Sequence, residues 1–333
     1  MTELLGITMG CPVGIGPEII VRFHAGLVTG RFLPVVLGDP GVLERCAAGI
    51  GGDTRVVRWQ PGEKYVAGAI NVLPLSDLPR DLVWGKPDSV TGLAMGSYIV
   101  EAVKLIKEGV LAGMVTCPIT KSALNQAGFD YPGHTEMLAA LSGGIEHAMM
   151  LAGKSLRVTL VTIHVSLAAV PELLSVEKIV NLIGLTGRSL QQDFAIPAPR
   201  IAVAGLNPHS GEDGIFGTEE REMIGPAVAQ ARKDGWLVEG PFPPDTVFNK
   251  AVAGKYDAVV CMYHDQGLIP FKLLHFADGV NITLGLPLVR TSVDHGTAYD
   301  IAGRWQADPA SLGAAYRQAE EIIINRSLFA ENH

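Results

Sequence analysis

Three histidines stand where a transition-type metal would find ligands. VTLVTIHVSL delivers His164, RIAVAGLNPHSG carries His209 in a short loop after its apolar run, and YDAVVCMYHDQG delivers His264. Each run has the length and β-branched content of a buried strand. In open α/β sheets ligands bind outside the carboxyl ends of the strands, so imidazoles at three such ends can converge on one point. Neutral imidazole is the commonest protein ligand for such cations, and three protein ligands with positions left open is the pattern of a catalytic site. Asp265 and Asp245, the latter in PPDT, can orient ligands or hold water beside them. The alternative for each histidine alone is that it satisfies backbone groups at a strand end. No HExxH spacing is present, so convergence has to come from the fold.

A second set of residues suits an anion. YPGHTEMLAAL places Gly133, His134 and Thr135 at the start of a helical pattern, with Thr135 as the expected N-cap. Exposed N–H groups at such a start favour negative charge, although an ordinary capped helix reads the same way. Lys272 in IPFKLLHF and Arg290 in LPLVRTSVDHG are cations in apolar surroundings, where an uncompensated charge is costly. Asn281 in GVNITLG is an amide inside a strand-like run. Together they would make a cradle for a phosphate or carboxylate; separately, each reads as a structural ion pair or a stem reaching solvent. The glycines of GCPVGIGPEII fit neither nucleotide fingerprint: no Lys-Ser/Thr pair follows, and the third glycine of GxGxxG is missing. The stretch reads as a tight loop with Pro17 opening a helix.

These residues need a frame. LLGITM, FLPVVLG, AGMVTC, VTLVTIH, RIAVAGL and YDAVVCMY read as strands. They alternate with helical patterns such as PEIIVRFHAGL, AMGSYIVEAVKLIKEG, VEKIVNLIGLTGRSLQQDF and SLGAAYRQAEEIIINRSLF, which is the signature of an α/β fold. The 333 residues suffice for two domains, and 48% hydrophobic with 18% charged residues excludes a disordered chain. A net charge of -8 argues against a general nucleic-acid binder, because counterion release needs clustered cations. No apolar run approaches the roughly 20 residues of a membrane span. MTELLGITMG lacks the basic and apolar regions of a signal peptide. Cys11, Cys46, Cys117 and Cys261 are scattered, as free thiols in a reducing cytoplasm would be. The expected localisation is cytoplasmic, with no nucleic-acid or membrane partner.

The ordered run of GxGPE, TCPITKSAL, YPGHTE, GLNPHSGEDGIFGTEE, GPFPPDT, YDAVVCMYHDQGLIPFK and GVNITLGLPLVRTSVDHGTAYDIAG resembles the 4-hydroxythreonine-4-phosphate dehydrogenase family of pyridoxal phosphate biosynthesis, over nearly the whole chain. The resemblance implies a homodimer of two-domain, three-layer α/β/α subunits, similar in fold to isocitrate and isopropylmalate dehydrogenases, with the active site in the interdomain cleft. Residues 1–128 plus 287–333 would form the first domain. Residues 129–286 would form the second, carrying the metal histidines and the dimer interface. Carried over, His164, His209 and His264 would bind one divalent cation (zinc, magnesium, cobalt or manganese), in a site drawing on both subunits. His134, Thr135, Lys272, Asn281 and Arg290 would bind substrate.

By similarity to the HGSAxDIAG loop of the related dehydrogenases, Asp294, His295, Gly296 and Ala298 would contact NAD or NADP. Asp245 and Asp265 are the candidate proton acceptors, beside a metal-bound water. The implied reaction is oxidation of 4-phosphooxy-L-threonine to a 3-keto acid that decarboxylates to 3-amino-2-oxopropyl phosphate. Alternatives are a paralogue acting on 4-phospho-D-threonate or 4-phospho-D-erythronate, or a cis-dihydrodiol dicarboxylate dehydrogenase. One departure bears on substrate choice: Cys11 and Val13 stand where relatives usually carry an acidic residue and an alanine.

Overall fold

The computed structural model describes residues 3–26, 30–143 and 146–332. The chain forms two compact units, Met1–Ile145 with Leu286–Ile323, and Glu146–Gly285 with Ile324–His333. In the first unit the chain runs through β1 (Glu3–Thr8), α1 (Gly16–Ala25), β2 (Phe32–Gly38), α2 (Pro40–Ile50), β3 (Arg55–Arg58) and β4 (Ala69–Pro74). It continues through α3 (Ser89–Lys107), β5 (Met114–Thr116), α4 (Lys121–Gln126) and α5 (His134–Ser142). The second unit follows with β6 (Ala148–Ala152), β7 (Arg157–Leu160), α6 (Val170–Leu173), α7 (Val176–Gln192), β8 (Arg200–Ala204) and α8 (Gly225–Lys233). It is completed by β9 (Leu237–Phe242), α9 (Pro244–Val252), β10 (Ala258–Cys261), α10 (His264–His275) and β11 (Val280–Leu284). The chain then returns to the first unit with β12 (Arg290–Val293), and α11 (Ala310–Asn332) ends it.

The strands of the first unit are ordered β3-β4-β2-β1-β5-β12, every neighbouring pair parallel. Parallel strands covered on both faces need continuous apolar runs, and FLPVVLG is buried along nearly its whole length. Right-handed crossovers carry the chain outward from β1 to β3 and then back across to β5, so α1 and α2 fall on one face and α3 on the other. That makes an α/β/α layering with a topological switch between β1 and β5. Helix α3 has the length and apolarity to cross a membrane, but more than half of its apolar window is buried, as in a core helix. The carboxylate of Asp39, 1% exposed, caps α2 through Val42 N and also accepts from Ser76 Oγ and Leu78 N.

In the second unit the order is β11-β6-β7-β10-β8-β9. β11 and β7 run antiparallel to β6, while β7, β10, β8 and β9 are mutually parallel. Leu151, Val158, Ala202, Val259 and Phe271 are among its core.

The division between the units differs from the expected one at its first crossing. YPGHTE and the helix after it stay with the first unit, because α5 packs on α3 and Lys107 Nζ donates to Leu141 O at 2.7 Å. The second crossing falls between residues 285 and 286. The end of α11, residues 324–332, belongs to the second unit, where Arg326 Nε donates to the buried Asp193 carboxylate at 2.6 Å.

His24 at the end of α1 shows how burial sets acid sensitivity. Its Nδ1 donates to Ile20 O at 3.1 Å, and burial pushes the imidazole down to about 4. The unfolded chain therefore binds more protons between about pH 6.5 and 4, so this site's contribution is complete above that window and is lost as pH falls through it. His24→Leu is expected to reduce the loss of stability between pH 7 and 5 by roughly 1–2 kcal/mol, measured by denaturant titration at the two pH values.

Candidate functional site

The three histidine segments emerge from three adjacent parallel strands. His264 follows the central strand β10, His164 follows β7 on one side, and His209 follows β8 on the other. Asp245 lies in the first turn of α9, which follows β9, the next strand along. Backbone and side-chain ties hold these segments at the carboxyl edge. Val161 N donates to Cys261 O at 2.9 Å, and Thr162 Oγ1 donates to Met262 O at 2.8 Å. Gln266 Oε1 accepts from Met262 N at 2.7 Å, while its Nε2 donates to Gly205 O at 2.7 Å. The amide after His264 therefore fastens β10 to β8.

The rings of His164 and His264 lie 5.5 Å apart, centroid to centroid. His264 Nδ1 is buried and has no hydrogen-bond partner among the described residues. His209 is exposed and sits 6.0 Å from the Phe216 ring. Among the described residues, no group of three metal-ligating side chains is assembled within one chain. His209 opens a run, His209 to Asp213, in which every φ is positive. Four of these residues are not glycine, at a cost of roughly 1–2 kcal/mol each. The buried carboxylate of Glu220 offsets this strain by accepting from Leu206 N and Asn207 N, both at 2.7 Å, and from Asn207 Nδ2 at 2.9 Å.

Glu220 and Gln266 escape the sequence reading because neither type nor spacing marks a carboxylate or amide that serves the backbone of a remote loop. Gln266→Leu would leave Met262 N–H and Gly205 C=O buried without this partner. It is expected to cost about 2–4 kcal/mol in denaturant unfolding and to weaken binding of a divalent cation titrated into the protein.

Asp245 and Asp265 are exposed in the first turns of α9 and α10. Lys272, half-buried, lies two turns further along α10. The polarity of Asn281 within β11 now has a physical meaning. Its Nδ2 lies 3.3 Å from Met149 Sδ, and its Oδ1 is buried with no hydrogen-bond partner among the described residues.

The first unit builds the cationic group. Arg290, 3% exposed at the start of β12, donates through Nε and Nη2 to Thr116 Oγ1 at 3.1 and 2.7 Å. Burial pushes its guanidinium down to about 10, against the attraction of Glu136. His134 is held well below the usual imidazole range by burial, then by the charges of Arg290 and Lys121, so it is neutral. Its Nε2 is buried without a hydrogen-bond partner among the described residues. The N-cap of α5 is Gly133 rather than Thr135, and no side chain caps the helix. The extended backbone of Gly133 turns the chain one residue before His134, which moves Thr135 inside the first turn. Thr116, a neutral anchor for a buried cation, and Lys121 were not legible in the sequence, since both fall in an unremarkable strand end and helix start.

The loop after β12 packs over the N-terminal loop. Ile15 N donates to Thr297 O at 3.1 Å, and a Cβ at Gly14 would lie 3.1 Å from the same oxygen, so that glycine serves the chain's own packing. Within the loop, Asp294 N donates to Ser311 Oγ at 3.3 Å, and His295 Nδ1 donates to Gly296 O at 3.0 Å. His295 Nε2 is buried without a partner among the described residues, and Ala298 holds a left-handed φ of 42°. Cys11 is buried; its Sγ accepts from Tyr299 Oη at 3.3 Å, and Tyr299 Oη also bonds Thr120. Burial pushes the Cys11 thiol up, so a neutral group occupies this loop position.

The family described as "Pyridoxal phosphate biosynthetic protein PdxA" matches residues 31–319. A 4-hydroxythreonine-4-phosphate dehydrogenase from Desulfosudis oleivorans is 55% identical over 321 residues, covering 95% of each chain. The structure of a 4-hydroxythreonine-4-phosphate dehydrogenase from Klebsiella pneumoniae superposes with a TM-score of 0.87 at 43% identity, covering 96% of this chain and 99% of that one. A chain from Oceanobacillus iheyensis, provisionally named a D-threonate 4-phosphate dehydrogenase, is 43% identical over 324 residues, covering 96% of this chain and 97% of its own.

Proposed function

The chain belongs to the pyridoxal phosphate biosynthetic protein PdxA family, whose relatives here are dehydrogenases, and from that premise we propose that it oxidises 4-phosphooxy-L-threonine with NAD or NADP. The 3-keto acid formed would lose CO2 to give 3-amino-2-oxopropyl phosphate. The observation that carries this reading is the His164–His264 pair at the carboxyl edge of parallel strands, with the buried His264 Nδ1 left without a hydrogen-bond partner among the described residues. This donor set fits a divalent cation: His164 and His264 would hold it, with His209 as the third imidazole, supplied within a homodimer. Bound there, zinc, cobalt, manganese or magnesium would acidify a substrate hydroxyl and polarise a carbonyl.

The chain's own residues bind and orient. Arg290, fixed by Thr116, and Lys121 supply positive charge for the substrate phosphate or carboxylate. Neutral His134 and Thr135 offer hydrogen bonds beside them, and the uncapped N–H groups of α5 add to that field. Asn281 Oδ1 accepts from a substrate hydroxyl or ammonium, and Lys272 adds a further cation. Fixing the reacting C–H bond in this way lowers the entropic part of the barrier. Asp245 or Asp265 takes the hydroxyl proton. Asp294, His295, Gly296 and Ala298 would hold the nicotinamide cofactor, which would supply the hydride acceptor, and His295 Nε2, without a partner among the described residues, fits a ligand there.

The dimer reading is supported by α10, where Ile269 and Leu273 are 67% and 85% exposed, and by Phe276 just beyond it at 83%. Leu273→Asp is expected to convert a dimer to monomers in sedimentation velocity, with loss of activity.

The provisional name of the Oceanobacillus relative and the neutral Cys11 loop favour a second reading, 4-phospho-D-threonate as substrate. Formation of NADH or NADPH by the purified protein on each compound tests both. The primary reading expects the higher kcat/KM with 4-phosphooxy-L-threonine; a higher value with the D-threonate compound replaces it.

A further inference from the structure

At the opposite edge of the second unit's sheet, the turn between β6 and β7 meets the end of α10 in an arrangement the dehydrogenase chemistry does not use. Ser155 Oγ lies 2.8 Å from His275 Nε2, and His275 Nδ1 lies 3.1 Å from Asp278 Oδ1. The directions of these bonds follow from chemistry. A carboxylate only accepts, so Nδ1 carries the proton. The backbone N–H of Ser155, which only donates, also points at Nε2 from 3.4 Å, so Nε2 presents its lone pair and the Ser155 hydroxyl donates to it.

The imidazole is fixed. It is 5% exposed, lies 5.4 Å from the Phe271 ring, and packs so closely on the turn that a Cβ at Gly153 would fall 2.4 Å from its Cγ. Ser155, by contrast, is exposed. A nucleophile hydrogen-bonded to a base, with the base oriented by a carboxylate, is the constellation that activates a serine. His275 lies eleven positions beyond His264 in the same helix, roughly 16 Å along the axis.

We propose that Ser155 is a base-activated nucleophile that accepts acyl groups from activated esters. Ser155 Oγ attacks the ester carbonyl carbon as its proton passes to His275 Nε2. The bond to the alcohol oxygen then breaks, and that proton leaves with the alcohol. Water, deprotonated by the same Nε2, releases the acyl group as a carboxylic acid and restores the hydroxyl. Asp278 balances the transient imidazolium through Nδ1. No oxidant or reductant enters. Leu274, which precedes His275 in the chain, is 48% exposed, so small apolar acyl groups are the favoured class.

The probes are a fluorophosphonate and p-nitrophenyl acetate, applied to the full chain, with the modified peptide identified by mass spectrometry. Ser155 is expected to be labelled in the parent protein, unlabelled in Ser155→Ala, and labelled at least tenfold more slowly in His275→Gln. The glutamine amide can still accept from Ser155 and donate to Asp278 but cannot take a proton, so a merely structural tie survives in that variant. Circular dichroism checks that it is folded. Equal labelling of Ser155 in the parent and His275→Gln overturns the proposal. So does a parent protein left unmodified at Ser155 where a control serine esterase reacts completely.

Discussion

Arg290→Met is expected to lower kcat/KM for a phosphorylated substrate by about 10²–10³-fold while leaving the Tm unchanged or raised. The two halves of this result share one cause. The guanidinium is buried, 3% exposed, and donates through Nε and Nη2 to the neutral hydroxyl of Thr116. Burial pushes it down to about 10, which places the cost of keeping the charge there on the order of 3 kcal/mol. Lys121 adds to the local positive charge, and Glu136 only partly opposes it. A charge held at such cost serves stability poorly and an incoming anion well. Methionine of similar length removes the cost and the anion contact together. Arg290→Lys is expected to recover little, because the ammonium lacks the fork that lets Thr116 and a substrate oxygen be engaged at once. Steady-state kinetics and thermal unfolding on the same preparations decide it. An unchanged KM with a Tm lowered by several degrees would make Arg290 a structural residue.

His264→Ala is expected to reduce activity by on the order of 10³-fold or more and to lower the metal content of the purified protein, with its fold intact. The rate follows from several kcal/mol of charge stabilisation at about 1.4 kcal/mol per decade. The fold survives because Nδ1 of this ring has no hydrogen bond among the described residues to lose, and the strand end is held by Thr162 and Gln266 instead. Elemental analysis alongside kinetics provides the check. Full activity after exhaustive metal removal would end the metal reading, and with it the assignment of His164 and His264 as ligands.

Much of the architecture was legible because its signals are local. Continuous β-branched runs such as FLPVVLG and RIAVA mark strands covered on both faces, and the alternation with helical patterns marks the α/β class. Shorter or more polar strands escaped: RVVR in β3 and LVEGPF in β9 lack a continuous apolar run, and only pairing with a neighbour makes them strands. The α10 segment was also opaque, since a proline at 270 and an apolar stretch hide a helix whose outward side chains remain exposed.

The amino-acid sequence by itself determined which chemistry is possible: imidazoles at strand ends, cations in apolar surroundings, an amide inside a strand, and a backbone that must alternate strand and helix. Only the tertiary structure decided which of these meet. Strand order brings β7, β10 and β8 side by side, and strand order is set by crossovers spanning dozens of residues, which no local pattern encodes. The same applies to the hydroxyl of Thr116 under Arg290, the amide of Gln266 across to Gly205, and the ring of His275 between Ser155 and Asp278. Residue type fixes what a side chain can donate or accept, whereas its partner is chosen by packing, because burial compels each polar group to find the nearest complementary one the fold supplies.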